Sequence, residues 1–180
     1  MADDLLYHAL NRGNNRAAVF FGRDDFRAFL DAFGQTHQRY PFRLYGYCLM
    51  TNHFHLLLSP RPGQSVSRIL QSLTVAHTWR YHRWHASSGH VWQGRFKSPL
   101  MQDDAHALTL LRYVEANPLR ADLADYPWSS YAGHGWGRAD PLLSPLPSWV
   151  AAEADDPRRA AWWREWVHTP LTDKELSAVR

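Results

Sequence analysis

Two histidines separated by one residue, His53-Phe54-His55, open the apolar run Phe54 to Ser59. In a strand, alternation puts both imidazoles on one face and Phe54 on the other. Such a pair can grip one divalent metal ion and leave positions open for water or a phosphate oxygen. Surface or satisfied core histidines show the same spacing, so the pair alone does not choose. A second constellation is Tyr113 and Asn117, four residues apart in a helical stretch and therefore one turn apart on one face. The apolar stripe of that stretch, Ala107, Leu108, Leu111 and Val114, points elsewhere; the tyrosine face runs His106, Leu110, Tyr113, Asn117. A tyrosine one turn from a carboxamide oxygen makes a nucleophile-plus-ligand pair. An amphipathic tyrosine followed by a capping asparagine is the ordinary alternative. Tyr81 competes as nucleophile beside His77, His82 and His85, but has His85 where a partner amide would stand. Those three histidines offer metal ligands, while Arg83 and Trp84 among them mark a solvated or nucleic-acid-facing surface.

The charge distribution gives these groups a setting. Residues 1–102 carry 12 Lys and Arg against 5 Asp and Glu, net +7, and residues 103–180 carry 8 against 12, net −4. Between Asp31 and Asp103 there is no acidic residue. That stretch holds eight basic residues, Arg80, Arg83, Arg95 and Lys97 among them, interleaved with Trp79, Trp84, Trp92 and Phe96. Guanidinium groups pair bidentately with phosphate and aromatic rings stack on unpaired bases. The 18 arginines against 2 lysines also fit a GC-rich genome; the missing acids are not explained that way.

At about 100–200 residues per domain, 180 residues make one domain with a tail. Hydrophobic residues at 45% and aromatics at 14% supply a packed core and exclude overall disorder. No apolar run approaches the roughly 18 residues of a membrane span, and the acidic start Met1-Ala2-Asp3-Asp4 carries no signal pattern. The one cysteine, Cys48, excludes an internal disulfide framework and a cysteine zinc site. The reading is a soluble, cytoplasmic protein without a membrane partner.

These groups need a scaffold. Leu5 to Leu10 predicts a first strand, closed by the polar turn Asn11 to Arg16, and Ala17 to Phe21 a short second strand. Asp24 or Asp25 starts a helix with Phe26, Phe29, Leu30 and Phe33 at helical spacing, ending near Tyr40 before Pro41. Phe42 to Met50 and Phe54 to Ser59, joined by Thr51-Asn52, form an antiparallel hairpin. A long helix follows to about His85, then an extended edge segment, Val91 to Met101, limited by Pro99. Asp103 or Asp104 caps the helix of Tyr113, which Pro118 stops. Residues 133–147 read as irregular, and Pro157 begins a helix with Trp162, Trp163 and Trp166. Thr172 and Glu175 form a capping box five residues before the end, so the natural chain is expected to extend beyond Arg180. The order implies an α+β fold, an antiparallel sheet with helices on one face in a ferredoxin-like arrangement. The expected division is a domain over 1–132 and a Pro/Gly-rich and helical tail over 133–180.

The segment Leu49 to Leu58 (LMTNHFHLLL) resembles the histidine–hydrophobic–histidine segment of the single-tyrosine HUH transposases. Four further stretches resemble their REP-associated branch, in that branch's order: Tyr7-His8 through Asn14, Gly89 through Lys97, Arg112 through Ala121, and Pro127 through Tyr131. Together they cover roughly residues 7–131.

The resemblance implies His53 and His55 as metal ligands, Tyr113 as nucleophile, and Asn117 in the third-ligand position, where related branches more often carry glutamine. It implies a divalent cofactor, Mg²⁺ or Mn²⁺, and a single-stranded DNA substrate bearing a REP-type hairpin. The branch consists of domesticated, single-copy prokaryotic proteins that cleave and rejoin such repeats through a 5′-phosphotyrosine. That chemistry needs no ATP, in keeping with the absence of a P-loop pattern. Arg12, Asn14 and Arg16 beside the first strand, Trp92, Gln93, Arg95 and Lys97 after the basic stretch, and Arg120 are the expected DNA-binding residues. A nucleoid-associated monomer is favoured over an oligomer. The alternatives are a silent DNA-hairpin-binding protein of the same fold, an HUH replication initiator or relaxase, and a hydrolase of small phosphoesters; the last would need more acidic ligands than residues 32–102 provide.

Overall fold

The computed structural model of the chain describes residues 5–101, 104–121, 123, 126–153 and 155–179. Three strands, β1 (Tyr7–Arg12), β2 (Phe42–Met50) and β3 (His53–Pro60), form an antiparallel sheet in the order β1-β3-β2. The helices are α1 (Arg23–Arg39), α2 (Val66–His85), α3 (Asp104–Glu115), α4 (Tyr131–Trp136), α5 (Pro147–Ala151), α6 (Asp156–His168) and α7 (Asp173–Val179). Asp103, one of the two candidate caps of α3, lies outside the described residues.

Residues 91–101 run antiparallel along the free edge of β1 through the bridges Tyr7–Leu100, Leu10–Lys97 and Gly13–Trp92. Pro99 offers its carbonyl to His8 N at 3.0 Å but has no N–H to return, which keeps this edge from becoming a continuous strand. With that edge as fourth member, the order is ferredoxin-like, as the sequence implies.

The helices cover both faces of the sheet, not one. On the first face α1 and α2 pack Phe29, Phe33, Ile69, Leu70 and Leu73 on Phe54, Leu56 and Leu58. On the second, Leu110, Leu111 and Val114 of α3 and Trp163 and Val167 of α6 join Cys48, Met50 and Leu57. The physical reason stands in the strands themselves, since β2 and β3 are buried along nearly their whole length. A strand apolar on both faces demands two covers.

Two other expectations are corrected. Ala17 to Phe21 is not a strand: the N–H groups of Val19 and Phe20 both donate to Thr51 O, at 2.8 and 3.0 Å, so the segment folds across the β2–β3 turn and drives Phe20 into the core. Residues 133–147, expected to be irregular, contain most of α4. The capping box does form, with Thr172 N donating to Glu175 Oε2 at 2.7 Å and Glu175 N to Thr172 Oγ1 at 3.3 Å. Among the described residues no helix is long and apolar enough to cross a membrane.

Candidate functional site

The register of β1 on β3 builds the site. Leu10 opposes His55, Arg12 opposes His53 and His8 opposes Leu57, so His8, His53 and His55 share the α3 face of the sheet. The rings of His53 and His55 have centroids 5.1 Å apart, and the ring of Tyr113 stands edge-on to His55 at 5.7 Å. Residues 58 apart in sequence, His55 and Tyr113, thus meet because α3 crosses this face.

Each candidate ligand has one ring nitrogen already committed. His53 Nδ1 lies 2.7 Å from Asn52 Oδ1, and Asn52 Nδ2 donates to Arg16 O at 3.1 Å, which fixes the amide with its oxygen toward the histidine. His53 Nδ1 therefore carries the proton. Arg16 adopts a left-handed φ of 61°, which turns its carbonyl into this position. His55 Nδ1 lies 2.9 Å from His8 Nε2. Among the described residues neither Nε2 of the pair makes a hydrogen bond, so both are open to a ligand.

Burial keeps these rings neutral. His53 is lowered to about 4, first by desolvation and then by the Arg12 and Arg120 guanidinium groups. His55 is held well below its ordinary value, again mainly by burial, with His8, His53 and both arginines adding to it. Burial alone lowers His8 to about 4. A neutral imidazole is the form that binds a metal. Among the described residues no three His, Cys, Asp or Glu side chains converge as a metal group. Two open, neutral imidazole nitrogens on one face are donors of the kind a divalent ion takes, its remaining positions left to oxygens.

Tyr113 is half-buried at the end of α3. Asn117 caps that end, its Nδ2 donating to Tyr113 O at 3.0 Å and to Val114 O at 3.3 Å. These bonds use the nitrogen of the amide and leave its oxygen uncommitted. Arg120 stacks on the tyrosine, Cζ lying 4.3 Å from the ring centroid, and donates to Tyr113 O at 3.2 Å. Leu110, assigned from the sequence to the tyrosine face, is fully buried in the second core.

Helix α3 is held from behind. Glu115, 1% exposed, accepts hydrogen bonds from Ser130 Oγ, from His134 Nδ1 at 2.6 Å and from Trp163 Nε1 at 2.6 Å. Arg112, 2% exposed, donates to Glu175 Oε1 at 2.8 Å and Thr169 O at 2.6 Å, and lies over Trp166 at 4.7 Å. The tail thus grips the helix on either side of the tyrosine.

Of the expected DNA-binding residues, Arg12, Gln93, Arg95 and Lys97 line one cleft along the β1 edge, next to His53. Asn14 and Arg16 sit in the adjoining turn, where Gly13 is required because a Cβ there would stand 2.1 Å from Ala17 O. Trp92 turns inward instead, packing edge-on to Phe54 and donating to Thr74 O. The competing Tyr81 lies against His77, His85 and Phe21 on the α1–α2 side. His77, His82 and His85 are spent on Val19 O, on Ser87 with Gly89, and on Asp25.

The sequence reading missed His8 and Asn52 as partners of the two histidines, and Glu115 as anchor. Asn52 had a signal, being the turn residue immediately before His53. His8 had none without the β1–β3 register.

A model of the family described as "Transposase IS200 like" matches residues 1–117. A Haemophilus influenzae protein described as a REP-associated tyrosine transposase is 26% identical over 122 residues, which cover 60% of this chain and 69% of that protein. A solved structure of a REP-associated tyrosine transposase bound to a REP hairpin superposes with a TM-score of 0.63 at 14% identity, covering 80% of this chain and 87% of that one.

Proposed function

We propose, from the premise that this chain belongs to the IS200-like transposase family, that it cleaves and rejoins single-stranded DNA at REP-type hairpins through a 5′-phosphotyrosine on Tyr113. The observation that carries this reading is the meeting of the Tyr113 ring with His55 at 5.7 Å on a sheet face where both histidines keep Nε2 open. The hairpin bound by the structural relative supports the substrate class.

In this reading His53 and His55, through the open Nε2 atoms, and Asn117, through its uncommitted oxygen, would hold a divalent ion, Mg²⁺ or Mn²⁺. When bound, the ion polarises the scissile phosphate and offsets its developing charge. The cleft of Arg12, Gln93, Arg95 and Lys97 holds the strand by its phosphates, with Asn14 and Arg16 beside it. Tyr113 Oη attacks the phosphorus in line, the bond to the 3′ oxygen breaks, and that oxygen leaves as a hydroxyl with the proton given up by the phenol. Arg120, stacked on the ring, keeps the phenol aimed and adds positive charge beside the phosphate. Rejoining runs the same exchange backwards, and the phosphotyrosine bond conserves the energy. Residues 133–180 serve as the brace of α3, and His53, His55, Tyr113 and Asn117 all come from one copy of the chain, in keeping with a monomer.

Labelled single-stranded DNA carrying a repeat hairpin tests the proposal on a denaturing gel, with and without Mg²⁺. The expected result is a metal-dependent covalent adduct that disappears in Tyr113→Phe. Binding without any adduct supports the silent hairpin-binding alternative, and an adduct that survives Tyr113→Phe assigns the nucleophile elsewhere.

A further inference from the structure

The outer face of α2 has no role in the cleavage site, since α2 packs on the opposite side of the sheet from His53, His55 and Tyr113. Its composition is unusual for a solvent face. Trp79 is 74% exposed, Trp84 49% and Val75 53%. Arg68, Val75, Trp79 and Arg83 recur at intervals that place them in one stripe, with Arg80 and Trp84 beside it. By the 1.5 Å rise per residue, Arg68 to Trp84 spans about 24 Å. Arg39 at the end of α1 shares a groove with Arg68 and Val75.

Two physical facts narrow what such a face can take. Among the described residues none of Arg39, Arg68, Arg80 and Arg83 is ion-paired, and residues 32–102 contain no acid to neutralise them. The Arg80 guanidinium lies 5.4 Å from the centroid of the Trp84 ring, on a tryptophan that stays half-exposed. Exposed indoles next to unpaired guanidinium groups are matched by a polyanion that also offers flat apolar rings. A second copy set symmetrically on this face would oppose arginine to arginine. Duplex DNA would satisfy the arginines and leave the indoles without bases to stack on.

We propose that the α2 face is a second nucleic-acid surface, taking unpaired DNA that flanks the recognised hairpin, with phosphates on Arg68 and Arg83 and bases stacked on Trp79 and Trp84. The connection following α2 supports it. His82 ties back to Ser87 and Gly89, and this short loop leads within a few residues to Gln93, Arg95 and Lys97 of the β1-edge cleft. The end of α2 that carries Trp79 and Trp84 is thus the end joined by this loop to the cleft.

The test uses oligothymidylate, which has no hairpin, beside a blunt hairpin without flanks, so that its outcome does not depend on the cleavage reading. Trp79→Ala should weaken oligothymidylate binding roughly five- to hundredfold, the range for loss of one stacked base, while Trp79→Phe keeps most of the affinity. Arg83→Ala should also lower the dependence of log affinity on log salt by about 0.7. Blunt-hairpin binding and the melting temperature should stay unchanged, since both side chains are exposed. Unchanged oligothymidylate binding in Trp79→Ala overturns the proposal. So does an equal loss on the blunt hairpin, which makes this a duplex surface. A change in mass by light scattering on Trp79→Ala overturns it in favour of a contact between copies.

Discussion

His8 Nε2 lies 2.9 Å from Nδ1 of His55 on the neighbouring strand, with the two rings stacked 5.1 Å apart and both buried. The pair can share only one proton along this line. If His55 offers the Nε2 lone pair to a metal, its Nδ1 carries that proton and His8 accepts it. His8 then holds His55 as Asn52 holds His53, and both ligands are fixed in tautomer and aim from behind. Partners of this kind typically contribute 10–100-fold to metal affinity. His8→Phe should therefore weaken Mn²⁺ binding by about that factor, measured by titration on Tyr113→Phe protein with DNA bound. His8→Gln, which restores an acceptor, should recover most of it. Unchanged affinity in His8→Phe would remove His8 from the site.

Asn117 combines two roles that substitution can separate. Its Nδ2 caps the carbonyls of Tyr113 and Val114, and its oxygen is the third-ligand candidate. Asn117→Asp keeps an oxygen, adds charge and loses the donor. Metal binding should tighten while thermal stability falls by about 1 kcal/mol, the usual cost of one hydrogen bond. Asn117→Ala should lose on both measures. If Mn²⁺ affinity is the same in wild type, Asn117→Asp and Asn117→Ala, the residue is a cap alone.

Gly46 sets the distance between the sheet and the tyrosine helix. A Cβ there would stand 2.2 Å from Leu111 Cδ1 and 3.3 Å from Ser130 Oγ, where the β2–β3 register slips between Leu44 and Gly46. Gly46→Ala should cost about 1–3 kcal/mol through overpacking, and by pushing α3 away it should reduce adduct formation in the protein that remains folded. Leu111→Val in the same chain, which removes the clashing methyl, should restore part of both. Full adduct yield in the single variant would mean that α3 is not held to the sheet at this point.

The parts legible in the sequence were those written in local periodicity. The hairpin of His53 and His55, helices α1 and α2, and the Tyr113–Asn117 turn of α3 all follow from spacing and from Pro41 and Pro118 as stops. What escaped depended on pairing between distant segments. The β1–β3 register alone brings His8 beside His55. The run Ala17 to Phe21 has strand-like residues, yet two of its N–H groups are drawn to one carbonyl at Thr51. Glu115 reads as an ordinary charged position on a helix, and only the arrival of Ser130, His134 and Trp163 turns it into a buried anchor. Trp92 illustrates the same limit from the other side: its composition suited a DNA face, while its ring packs on Phe54. Within the acid-free stretch the fold decides which aromatic rings remain exposed, and Trp79 and Trp84 are the ones that do.

His77 makes stability depend on pH in a direction that can be worked out. Its ring lies among Phe20, Phe29 and Trp92, with Nε2 donating to Val19 O at 2.9 Å. Burial, its largest influence, lowers it from the ordinary value of 6.5 to about 4. Between those two values the unfolded chain binds a proton at this site and the folded chain does not. Stability is therefore full above about 6.5 and is lost as the pH falls from there toward about 4. His8 and His55 act in the same sense, so removing one ring reduces the dependence without abolishing it. His77→Gln keeps a donor for Val19 O and cannot titrate. The drop in urea midpoint from neutral to mildly acidic pH should thus be smaller in His77→Gln than in wild type. An identical drop in the two proteins would show that His77 takes up no proton on unfolding, and the acid sensitivity would then rest on other groups, His8, His53 and His55 among them.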